Sequence, residues 1–91
     1  MLERSRTKKH TRVTFVLPAD HPAGEASVVG DFNDWRPGAH PLTARQDGSR
    51  AVTVALPHDQ RLAFRYLAHG DQWFDEDGAD GHDGRNSLLH T

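Results

Sequence analysis

Trp35 and Trp73 are the residues of this chain whose type and setting best suit chemistry at a surface. Each stands where a turn meets a strand, after Asn33-Asp34 in one case and Gly70-Asp71-Gln72 in the other, and an indole in such a polar setting is difficult to bury fully. A flat, partly exposed ring beside hydrogen-bonding neighbours suits the apolar face of a pyranose. The alternative is that both rings only cover the ends of the fold. Arg65 is a third candidate. Between residues 61 and 68, Leu62, Phe64, Tyr66 and Ala68 alternate with Ala63, Arg65 and Leu67, and this period of two turns Arg65 away from the core-facing set.

Other chemistries fit less well. The stretch from Asp75 to Gly84 carries five acids among glycines and invites a calcium reading, but a helix-loop-helix calcium loop wants an oxygen ligand where Ala79 stands and a glutamate at its end. It reads instead as a solvated acidic loop that meets the basic start of the chain. The seven histidines are scattered without the paired spacing or the cysteines of a zinc site, so surface histidine is expected and no metal or cofactor. A glycosidase needs two carboxylates fixed across a cleft, and acids gathered in one loop do not supply them. No cysteine is present and no serine lies in a Gly-x-Ser-x-Gly setting, so nucleophilic catalysis has no candidate either. The chain is expected to be non-catalytic.

The elements that hold the candidate residues are strands. The run Val28-Val29-Gly30-Asp31-Phe32-Asn33-Asp34-Trp35 reads as the end of a buried strand that breaks into a turn. Gly30 marks a bend or a close approach to a neighbour, and Asn33 and Asp34 are turn formers whose side chains bond nearby backbone groups. Strands are expected over residues 11–17, 25–30, 41–45, 61–68, 72–74 and 86–90, and one more carries Val52, Val54 and Leu56 until Pro57 stops it, with Asp47-Gly48 as a hairpin turn and another turn at Gly70-Asp71. No stretch has helical periodicity. About seven short strands in 91 residues argue for an all-β, immunoglobulin-like antiparallel sandwich. Its core would hold Val13, Phe15, Val28, Phe32, Val52, Val54, Leu56, Phe64 and Tyr66.

Net charge is −2, but Arg4, Arg6, Lys8, Lys9 and Arg12 crowd the start while six acids and no base fall between Asp71 and Asp83. Residues 1–10 are expected to be a basic arm that the domain, residues 11–91, can lose without unfolding. Five positive charges beside an acidic body suit a solvated tail, or one that folds back on its own acids, better than nucleic-acid contact, which is not expected. The absence of cysteine, of a secretory signal and of any apolar run near about 20 residues points to a cytoplasmic protein without a membrane span.

Five segments taken together carry a family resemblance: residues 28–35, His-Pro-Leu-Thr at 40–43, Phe-Arg-Tyr-Leu at 64–67, Gly-Asp-Gln-Trp at 70–73 and Gly-Arg-Asn-Ser-Leu-Leu at 84–89. In this order they resemble the isoamylase N-terminal, or early-set, domain grouped with family 48 carbohydrate-binding modules. That group includes the N-terminal domains of glycogen branching and debranching enzymes and the glycogen-binding domain of the AMP-activated protein kinase β subunit. The resemblance implies that Trp35 and Trp73 stack on glucose units and that Arg65, at a position where the family has lysine, contacts hydroxyls as does Asn86. The chain departs from the family at Asp75-Glu76-Asp77, where Asp-Pro is usual, and between Asp80 and Gly84, where the sugar-contacting loop has no clear counterpart. The expected function is a stand-alone α-glucan module binding α-1,4-glucan or maltooligosaccharides. The alternative is an interaction domain of the same fold that docks on a glycogen-metabolising enzyme without binding sugar.

Overall fold

In a computed structural model, which describes residues 1–69 and 71–91, the chain is all-β and folds into two antiparallel sheets packed as a sandwich. Gly70, half of the expected Gly70-Asp71 turn, lies outside the described residues. The strands are β1 (Leu2–Arg6), β2 (Thr11–Leu17), β3 (Ala26–Gly30), β4 (Thr43–Ala44), β5 (Arg50–Leu56), β6 (Arg61–Ala68), β7 (Gln72–Phe74), β8 (Gly81–His82) and β9 (Ser87–His90). One sheet has the order β1-β2-β5-β4, and the other has the order β3-β6-β9-β8 with β7 also paired to β6.

Alternation decides what is buried. Val13, Phe15 and Leu17 of β2 meet Val54 and Leu56 of β5 and Phe64 and Tyr66 of β6 in one core that also takes Val28, Leu42 and Leu89. Phe15 is its centre, with Phe64 edge-on at 5.1 Å and Phe32 stacked at 5.7 Å, favourable offsets for aromatic pairs. Phe32 and Val52 are only partly buried, at the margin of this cluster. The hairpin at Asp47-Gly48 forms as the sequence indicates. Gly48 has φ of +86°, the Gly48 amide donates to Arg45 O, and the Asp47 carboxylate accepts both the amide and the hydroxyl of Ser49. Segment 40–44 changes sheets: Pro41 bridges Ser27 on the outer edge of β3, and two residues later β4 pairs with β5.

The chain start departs from the expected basic arm. Leu2 to Arg6 pair with Phe15 to Thr11 as an edge strand, and Leu2 packs against the core. Arg4 and Arg6 share the inward side with Leu2, but at the rim of the sandwich they reach the other sheet. Arg4 pairs with Asp80, and Arg6 donates to Thr91 O and lies 3.7 Å from Asp59. Backbone pairing with an unfilled edge of β2 outweighs the polar composition, and inward charges are a usual way to guard an edge strand. Among the described residues no helix is long and apolar enough to cross a membrane.

Candidate functional site

The outward row of β6, Ala63-Arg65-Leu67, forms the spine of the site, and the register assigns its neighbours. Trp73 on β7 pairs with Leu67 and is 41% exposed; among the described residues it and Met1 are the large apolar side chains that are mainly exposed. On the opposite side Val29 of β3 pairs with Arg65. Ser87 pairs with Phe64 and faces the interior, and Asn86 lies in the bend just before β9, half-buried, its amide donating to Asp83 Oδ1. Arg65 is therefore the point at which β6 changes partner from β9 to β7.

Trp35 arrives from the corner after β3. Gly30 permits that corner by closeness: its backbone is extended, and a Cβ there would stand 2.5 Å from Ala63 O and 2.8 Å from Phe64 Cβ. A short 3-10 turn over Asp31–Asn33 follows. Asn33 ties it down as expected, its Oδ1 accepting the Gly30 amide and its Nδ2 donating to Val28 O. Nδ2 also lies 2.9 Å from His40 Nδ1. Asp34 acts differently from expectation. Its side chain bonds no backbone group among the described residues, and its contribution is a left-handed backbone, φ 55°, shared with Trp35 at the same angle. Two consecutive non-glycine residues in that region store strain at the corner.

Asp31, which the sequence did not single out, fixes the ring. Its Oδ1 accepts Trp35 Nε1–H at 2.9 Å and its Oδ2 accepts the Ala63 amide at 2.8 Å, so one carboxylate holds the indole beside the start of the outward row. The i, i+4 spacing of Asp31 and Trp35 is the only local trace of this link. Trp35 is half-buried. Trp35 is thus tied to Ala63 and Trp73 to Leu67, strand positions on either side of Arg65 that are about 13 Å apart at roughly 3.3 Å per residue.

In the acidic segment Asp75, Asp77, Asp80 and Asp83 are exposed and the chain start meets the segment, both as expected, with one exception. Glu76 is buried. Its Oε1 accepts the Tyr66 hydroxyl at 2.8 Å and the Met1 ammonium at 2.7 Å, and its Oε2 accepts the Gly78 amide. Asp80 accepts the His90 amide and Arg4, and Asp83 closes the turn into β9 by accepting the amides of Arg85 and Asn86. These acids staple strands. Nor are all the histidines plain surface groups: His21 stacks on Phe74 at 5.0 Å, and half-buried His58 bonds the Thr11 hydroxyl.

Their pKa values follow. Burial pushes the Glu76 carboxyl up, but its bonds from the Met1 ammonium, the Gly78 amide and the Tyr66 hydroxyl together hold it below its ordinary value of 4.5. Asp47 is lowered by Ser49, and Asp83 by the amides of Asn86 and Arg85. Burial first, then the Glu76 charge, pushes the Tyr66 hydroxyl far up. A carboxylate with a depressed folded pKa stabilises the fold fully above its unfolded value and loses that contribution as pH falls through the folded value. The thermal midpoint is therefore expected to be flat from pH 7 to about 5 and to fall below about 4.5. Glu76→Gln should lower stability at pH 7 by about 1–3 kcal/mol, by leaving buried partners mispaired, and should flatten the acid limb. An unchanged acid limb in that variant would remove Glu76 as its source.

Fold and site together define a two-sheet antiparallel β-sandwich with an exposed indole and a guanidinium on one outer sheet face, and a second indole tied through Asp31 to the start of β6. No family model matches the chain. It is similar to the 1,4-alpha-glucan-branching enzyme, chloroplastic/amyloplastic, of Oryza sativa subsp. japonica, with 28% identity over 60 residues that cover 58% of this chain. The match spans 7% of the length of that enzyme.

Proposed function

We propose that this chain is a non-catalytic α-glucan-binding module whose sugar site is the outer face of β6, with Trp35 and Trp73 as stacking rings and Arg65 and Asn86 as hydrogen-bonding groups. The observation that carries this reading is the exposed Trp73 indole on the same sheet face as Arg65, with Trp35 held at the other end of the row by Asp31. An exposed aromatic ring beside fixed donors is what a sugar offers partners for: an apolar ring face and a rim of hydroxyls. The choice of an α-glucan is supported by the similarity to a 1,4-alpha-glucan-branching enzyme.

A single open face with two rings should bind oligosaccharides at about micromolar to millimolar Kd. Titration with maltoheptaose is expected to perturb tryptophan fluorescence with a saturable response in that range, and cellohexaose, whose β-1,4 chain is straighter, is expected to give none. Equal responses to both sugars, or none to either, would replace the glucan reading with that of an interaction domain docking on a glycogen-metabolising enzyme.

A further inference from the structure

Arg65 is gripped by one edge. Its Nε–H donates to Asp75 Oδ1 at 3.1 Å, and the side chains are 27% and 42% exposed, so neither is sealed in the core. Asp75 is itself tied to the strand junction. The Ser87 hydroxyl lies 3.4 Å from the same Oδ1, and Ser87, fully buried, accepts the Glu76 amide at 3.0 Å. Among the described residues Nη1 and Nη2 of Arg65 make no hydrogen bond, so the grip on Nε leaves all four of their N–H donors available. Val29, paired directly across from Arg65 and fully buried, flanks its stem on the other side.

We propose that Asp75 is a positioning residue of the sugar site: it fixes the rotamer of Arg65 so that the Nη donors are presented to glucan hydroxyls between the two indoles. An arginine free at its tip would lose rotamer freedom on meeting the sugar, and one already held by Nε loses less. The grip has a specific chemical requirement, an oxygen acceptor at position 75, and it explains why a fork of donors is useful at position 65. A lysine has no Nε–H to be held while other donors remain in a fixed plane.

This inference rests on the glucan reading, and a double-mutant cycle separates the two. Maltoheptaose Kd is measured by tryptophan fluorescence for the unmodified chain, Asp75→Ala, Asp75→Asn, Arg65→Ala and the Asp75→Ala/Arg65→Ala pair, with thermal midpoints for each. Asp75→Ala is expected to weaken binding about three- to tenfold when Arg65 is present and by less than about twofold when it is absent. Asp75→Asn, which keeps an acceptor for Nε, should recover most of the affinity, and the midpoints should stay together because an exposed ion pair contributes little to stability. A loss of the same size in both backgrounds, no loss at all, or tighter binding by Asp75→Ala would overturn the positioning role while leaving the glucan reading intact. Failure of the unmodified chain to bind maltoheptaose would remove both.

Discussion

Replacing Gly30 with alanine is expected to lower the thermal midpoint by about 12–24 °C, the largest effect of an alanine at any of the described glycines. The added Cβ would stand 2.5 Å from Ala63 O, 2.8 Å from Phe64 Cβ and 3.0 Å from Phe32 Cε1. Two of these neighbours belong to β6, whose Phe64 pairs with Gly30 in register, so the clash can be relieved only by shifting β3 against the interior strand β6. Overpacking a rigid core costs about 1–3 kcal/mol and sometimes more. With backbone as the obstacle about 3 kcal/mol is expected, and each kcal/mol shifts the midpoint of a domain this size by about 4–8 °C. Conformational freedom is not the reason, because Gly30 has φ of −171°, an angle open to any residue. Gly81→Ala is the control: its Cβ would meet only Leu88 Cδ1 at 3.7 Å, an ordinary contact, and the midpoint should hardly move. Melting followed by far-UV circular dichroism decides the matter. A fall of less than about 3 °C for Gly30→Ala would mean that the corner before Trp35 yields easily and does not fix that ring.

Trp73→Ala is expected to weaken maltoheptaose binding about 5- to 150-fold while leaving the fold in place. The range follows from about 1–3 kcal/mol for a stacked ring, taking base–aromatic stacking as the guide. The fold should tolerate the change because Trp73 is 41% exposed and sits on a three-residue strand at the sheet surface, where substitutions usually cost little. Trp35→Ala should weaken binding as strongly, but with some loss of stability, because that indole is half-buried and bonded to Asp31. Isothermal titration of both variants, with circular dichroism spectra beside them, separates ring loss from unfolding. If Trp73→Ala binds as tightly as the unmodified chain, the outer face of β6 is not the sugar site.

Much of the architecture was legible because it rests on a local signal. In β2, β5 and β6 every second residue is apolar, and a period of two allows only one assignment of faces. It fixed Phe15, Val54, Phe64 and Tyr66 inward and Arg65 outward, while the Asp-Gly pair itself placed the turn at Asp47-Gly48. The four candidate residues of the proposed site could be named from the sequence, the tryptophans and Arg65 from setting and alternation and Asn86 from the resemblance alone. What joins them was not. Asp31 links Trp35 to Ala63 across 32 positions, and Asp75 meets Arg65 only because β7 and β9 both abut β6 at that point.

The N-terminal segment shows the boundary most clearly. Leu-Glu-Arg-Ser-Arg has one apolar residue and no alternation, so by itself it specifies nothing. It is a strand because β2 offers a row of unpaired backbone groups and because Arg4 and Arg6, pointing inward at the rim, find Asp80 and Thr91 on the other sheet. Glu76 is the converse case: an acid in an acidic run, which composition assigns to solvent, is buried because Tyr66, Gly78 and Met1 converge on it with donors. Periodicity is a property of neighbours along the chain and survives in the sequence, whereas edge pairing and the satisfaction of a buried charge depend on groups brought together only when the sheets have formed.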